Sequence, residues 1–135
     1  MRLFSQVLIV SLCFVLGGCG GGEAPISNDR LIETFESGRT GIWVSGTGPV
    51  TQILGDDNIA GETQRFIVKP NDEMQVEIRH SLENADRIPV ERGDVVRFQG
   101  YYDWEARGGI VSLTYFDTGQ PGSGGWVEHE GTRYD

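Results

Sequence analysis

The sequence predicts an all-β protein: a small five-stranded, OB-like Greek-key barrel with a C-terminal tail packed back on it. Three observations point there. From residue 41 onward the chain is rich in β-branched and aromatic residues and punctuated by glycine-containing turns. Its strand-like runs come as one long run, a hairpin, a connecting segment and a second hairpin, which is the strand order of an OB barrel. Sandwich and lipocalin-like folds need more strands than these runs supply.

The chain opens on a processing segment. Met1 and Arg2 give a short positive start, and Leu3 to Leu16 is almost wholly apolar. That run has the length of a signal-peptide core and falls short of a bilayer span. Leu16-Gly17-Gly18-Cys19 resembles the bacterial lipobox, which implies cleavage before Cys19 and diacylglycerol on its thiol. The chain's other cysteine, Cys13, leaves with residues 1–18, so the mature protein is expected to hold neither a disulfide nor a free thiol. Several acyl chains give firm membrane anchoring where one would not. Gly20 stands where aspartate signals inner-membrane retention, so the expected address is the periplasmic face of the outer membrane. Residues 19–36 read as a lipidated tether with a short helix, and residues 37–135 as the barrel domain.

The tether GGGEAPISN has nothing to bury. In 29–36 (DRLIETFE), Leu31, Ile32 and Phe35 fall on one side of a helix that Asn28 or Asp29 would cap. GIWVSGTGPVTQIL (41–54) suits a long, bent first strand with a bulge. TQRFIVK (63–69) and MQVEIRH (74–80) form a hairpin across Pro70-Asn71-Asp72, with Met74, Val76, Ile78 and His80 on one face. Residues 81–93 are a longer connection with room for one helical turn. DVVRFQGYYDW (94–104) and GIVSLTYFD (109–117) form the second hairpin, and Val96, Phe98, Gly100 and Tyr102 should face the core. Trp126, Val127 and Tyr134 give the glycine-rich tail reason to pack back.

These residues resemble a family of small exported bacterial proteins carrying a domain of unknown function. Its pattern includes H-Q-R-F, an H-N-x-D/E-x-A-x-R-I-P segment, G-D-x-V-x-F-x-G-x-Y-x-W, G-G-V-V-H-W-T-H-H-D and G-W-x-x-H-x-G. This chain offers TQRF (63–66), HSLENADRIPV (80–90), GDVVRFQGYYDW (93–104), GGIVSLTYFD (108–117) and GWVEHEG (125–131). The resemblance spans about residues 40–135, supports the fold and carries no activity. Thr63, Ser112, Tyr115 and Phe116 stand where the pattern has histidine, and His80 and His129 alone remain.

Two imidazoles and a carboxylate can hold zinc or a similar ion, so His80, Asp117 and His129 form the candidate metal set. No cofactor is expected otherwise. Asp56, Asp57, Asn58 and Glu62 match no calcium-loop spacing and read as turn chemistry. Arg92-Gly93-Asp94 is a turn entering a strand. On the outward side of the barrel, Arg65, Arg97 and Tyr101, with Trp104 near the edge, form the candidate ligand groove.

Eleven basic against twenty acidic residues give a net charge of −9, which opposes nucleic-acid binding. The motif G-x-S-x-G is absent and no free thiol survives maturation, so no nucleophile is signalled. The favoured reading is a non-enzymatic envelope module, held to the membrane through Cys19, that binds a protein, peptide or glycan. The alternative is a metal-dependent hydrolase or nuclease-like enzyme.

Overall fold

The structure, a computed structural model, describes residues 26–59 and 61–135. The signal segment, Cys19 and most of the tether lie outside the described residues. Among these residues a helix, α1 (Asp29–Glu36), precedes strands β1 (Ile42–Ile53), β2 (Thr63–Val68), β3 (Val76–Ser81), β4 (Val95–Asp103), β5 (Ile110–Ser112), β6 (Trp126–His129) and β7 (Thr132–Tyr134).

The five expected strands close a ring in the order β1-β2-β3-β5-β4, with β4 pairing back onto β1. Strand β1 is long enough to serve both ends of that ring. Ile42 to Pro49 pairs with β4, and Val50 to Ile53 pairs with β2. A register shift between Val50 and Gln52 supplies the expected bulge, which bends the strand from one partner to the other. The β3–β5 pairing is parallel and closes the barrel, as the Greek-key path requires.

Alternation places one face of each strand inside. Phe66 and Val68 on β2, Val76 and Ile78 on β3, and Val96, Phe98 and Tyr102 on β4 are fully enclosed. Burial pushes the Tyr102 phenol up to about 12, and its hydroxyl donates to Gly108 O at 2.6 Å, fixing the turn after β4. Gly100 is needed mid-strand because a Cβ there would lie 2.5 Å from Ser112 O.

Helix α1 closes one opening of the barrel. Leu31 is completely buried and packs over Gly46, where a Cβ would lie 2.6 Å from Phe98 Cζ and 2.9 Å from Leu31 Cδ2. Asn28 occupies the N-cap position, yet its side chain does not cap. It clamps the helix to the barrel instead: Oδ1 accepts from Thr47 N at 2.8 Å, while Nδ2 donates to Thr47 O and Pro70 O. Ser27 Oγ accepts from Asp29 N in its place.

Two local expectations change. The connection after β3 runs through turns without a helix. The fifth strand stops at Ser112 rather than Asp117, because Leu113 takes a left-handed backbone (φ 54°) that ends regular pairing. Val111 and Thr114, three residues apart, are consequently both buried, which strict alternation forbids. The tail does pack back, as a hairpin: β6 takes the stretch of the β4 edge from Val96 to Gln99, and β7 pairs outside it. These two strands lie outside the ring.

Candidate functional site

The outward faces of β2, β3 and β5 form one continuous surface of the barrel. Cross-strand pairing sets Thr63 beside Ser81, Arg65 beside Arg79, and Ile67 beside Glu77. Strand β5 continues the surface through the Glu77–Ile110 pair. Two clefts open on this surface. One, of about 320 Å³, is lined by Thr63, Arg79, Ser81 and Ser112, by Asp57 of the β1–β2 loop, by Glu83 and Asn84 after β3, and by Leu113 and Tyr115 after β5. The other, of about 420 Å³, lies toward the β4–β5 turn, among Ile67, Gln75, Glu77, Gly109 and Glu105 to Arg107.

The outward row of β3 joins them. Gln75 and Glu77 line the second cleft, and Arg79 and Ser81 line the first. Glu77 sits at the junction and accepts from two guanidinium groups, Arg65 Nη1 at 3.4 Å and Arg79 Nε. Its carboxylate raises the pKa of Arg79, so that group stays cationic. The left-handed Leu113 turns the chain so that Thr114 points inward while Ser112 and Tyr115 stay at the cleft. The β1–β2 loop is tied to the long connection by a two-pronged Arg87–Asp56 pair, which holds the Asp56 carboxyl below its ordinary value.

The expected ligand residues are dispersed. Arg65 belongs to this face, where its Nε donates to Gly55 O at 2.9 Å. Arg97 lies across the barrel, bound to Glu128 at 2.7 Å and 6.0 Å from the Trp126 ring. Tyr101 meets Trp43 edge-on at 6.2 Å, between β4 and β1. Trp104 stacks on Phe35 and donates its indole N–H to Phe35 O at 3.1 Å, so it fastens α1.

The metal candidates are separated too. His80 is completely buried, with Nδ1 2.8 Å from Thr114 Oγ1 and Nε2 2.9 Å from Asp86 O. A carbonyl can only accept, so Nε2 carries the proton and Nδ1 is left to accept from the threonine hydroxyl. Burial lowers the imidazole below its ordinary 6.5, favouring this neutral form. Facing His80 across the sheet, Gln64 makes two bonds to the Ile88 backbone, at 2.7 and 2.9 Å. The two side chains together pin the β3–β4 connection over the barrel. Asp117 Oδ1 accepts from Gly119 N at 2.9 Å within its own turn. His129 pairs with Asp94 at 2.7 Å, and Glu130 reaches within 4.0 Å of the same nitrogen. Among the described residues, Asp94, His129 and Glu130 hold ligand atoms within 4.8 Å of one another, and neither His80 nor Asp117 joins them.

Sequence reasoning passed over Arg79, Ser81 and Asn84. The signal present was the outward period-two row Gln75, Glu77, Arg79, Ser81 along β3, opposite the core row that the same run identified.

No curated protein matches the chain. Over residues 15–135 it matches the family described as Protein of unknown function (DUF3465), and the chain belongs to that family.

Proposed function

We propose that this protein is a lipid-anchored cell-envelope module that binds a protein, peptide or glycan through the outward face of β2, β3 and β5, without chemistry of its own. The observation that carries this reading is the pair of clefts joined along the outward row of β3. OB barrels take their ligands on the strand 2–3 face and its bordering loops. Position 63 and positions 112 and 115, where the resembled pattern has imidazoles, come from segments far apart in the chain and converge in the smaller cleft. Here they are Thr63, Ser112 and Tyr115, side chains suited to contact rather than metal ligation. His80 supports the same conclusion, since its neutral, enclosed ring serves the fold.

The anchor is Cys19, behind the apolar run that ends at Leu16, with the outer membrane's periplasmic face as the address. Mass spectrometry of the mature N-terminus should find an acylated cysteine; an uncleaved or unacylated one overturns the anchor. Affinity capture from envelopes with the acylated chain tests the face. Ser112→Trp, which fills the smaller cleft, should abolish what the wild type captures while Val95→Trp on another face does not. Equal capture by wild type and Ser112→Trp contradicts the assignment.

A further inference from the structure

The geometry points to an uncharged oligosaccharide as the occupant of the cleft between β2, β3 and the segment after β5, an inference that rests on reading this face as the binding surface. Each competing polymer lacks something it needs. Nucleic acid requires phosphate neutralisation, and a chain of net charge −9 with one arginine in the cleft does not supply it. A peptide joining the sheet by strand addition requires an open edge. Strands β2, β3 and β5 each have a partner on both sides, because the ring is closed. An amphipathic helix requires an apolar groove, whereas Leu113 is the single aliphatic lining residue.

What remains suits sugar. A sugar presents adjacent hydroxyls, each both donor and acceptor, on a ring whose flat faces carry C–H groups. Planar polar side chains grip such hydroxyl pairs two at a time: guanidinium and amide groups donate, and carboxylates accept. The cleft offers Arg79 and Asn84 as donors, Asp57 and Glu83 as acceptors, and the half-buried Tyr115 ring as a platform. The hydroxyls of Thr63, Ser81 and Ser112 fit between them. Charge selects the class within glycans. Two carboxylates line the cleft against one guanidinium, and that guanidinium already answers Glu77. A polyanionic glycan would therefore meet net repulsion. The cleft's 320 Å³ is at the small end of ligand sites (about 300–1,000 Å³), so it holds one end of a glycan whose chain continues along β3 toward the second cleft.

The test is amide chemical-shift mapping on the labelled full chain in detergent micelles. The probes are chitotetraose and cellotetraose (neutral), oligogalacturonate (anionic) and a peptide digest of envelope proteins. A neutral tetrasaccharide should shift the amides of Thr63, Arg79, Ser112 and Tyr115 saturably, with oligogalacturonate at least about tenfold weaker. Tyr115→Ala should weaken binding about tenfold or more, as truncation of a central aromatic contact does. Ser112→Trp should abolish it, and neither change should move the melting temperature appreciably. Unmoved amides with both neutral glycans, or full affinity in Tyr115→Ala and Ser112→Trp, overturn the inference. If the peptides alone shift those amides, the glycan class is wrong and the binding face stands. If no probe shifts them and Ser112→Trp captures as wild type does, the face itself is wrong.

Discussion

Asp94 Oδ2 accepts two N–H donors at once, His129 Nε2 at 2.7 Å and Glu91 N at 2.9 Å. One carboxylate thus fastens the β6–β7 hairpin to the turn that opens β4. The Glu91 amide and then His129 hold the Asp94 carboxyl below its ordinary 3.8.

A double-mutant cycle on Asp94→Ala and His129→Ala should return a favourable coupling in urea unfolding, the double mutant losing less than the sum of the single changes. Because Asp94 has a depressed carboxyl pKa in the fold, its contribution is present above pH 3.8 and is lost as acid titrates the folded carboxylate. Additive single mutants would show that the pair ties nothing.

His80 gives a second pH dependence, in a higher window. Its folded pKa lies below 6.5, so the unfolded chain takes up the proton first and stability falls as pH drops below 6.5. One group gives a slope of at most about 1.4 kcal/mol per pH unit. Urea unfolding at pH 7.5, 6.5 and 5.5 should show this loss in wild type and not in His80→Gln. Parallel slopes would contradict a neutral, buried imidazole.

The helix seat is sensitive from both sides. Leu31→Ala should cost about 2–5 kcal/mol by emptying a filled site. Gly46→Ala should cost about 1–3 kcal/mol, because the new methyl meets Phe98 and Leu31. Either change should also loosen the stack of the already exposed Trp104 indole on Phe35 of the helix, read as a change in tryptophan fluorescence. Wild-type stability in both would mean that α1 adds little to the barrel.

Zinc addition or chelation should leave the melting temperature unchanged within about 2 °C, since strong binding to the native state alone would raise it. Both ring nitrogens of His80 are engaged, and the His129 nitrogen nearest the two carboxylates already donates to Asp94. A zinc-dependent rise removed by His129→Gln would instead identify a metal centre at Asp94, His129 and Glu130.

Where local pattern dictates structure, the fold was legible. Alternation in 74–80 and 94–104 separates core from surface, the glycine-rich first run bends at its bulge, and Gly100 marks a close backbone approach; in 63–69 the same pattern holds until Ile67, which is buried as well. The end of β5 was hidden, because a left-handed leucine has no signature in the sequence. Nor did the tail announce that it would take part of the β4 edge. Of the residues expected to line one groove, Arg65 lies on the β2–β3–β5 face, while tertiary partners hold others elsewhere: Glu128 takes Arg97 and Phe35 takes Trp104. The cleft depends on the parallel β3–β5 pairing, which brings Thr63 and Ser112 to one surface and which no local run encodes.

The central claim, that the β2–β3–β5 face is where this tethered barrel meets its ligand, is tested most directly by site-specific photo-cross-linking in intact envelopes. A photoreactive side chain at position 112 should give a discrete adduct, and the same group at position 95, on another part of the barrel, should give none. Adducts of equal yield from both positions, or from position 95 alone, would contradict it.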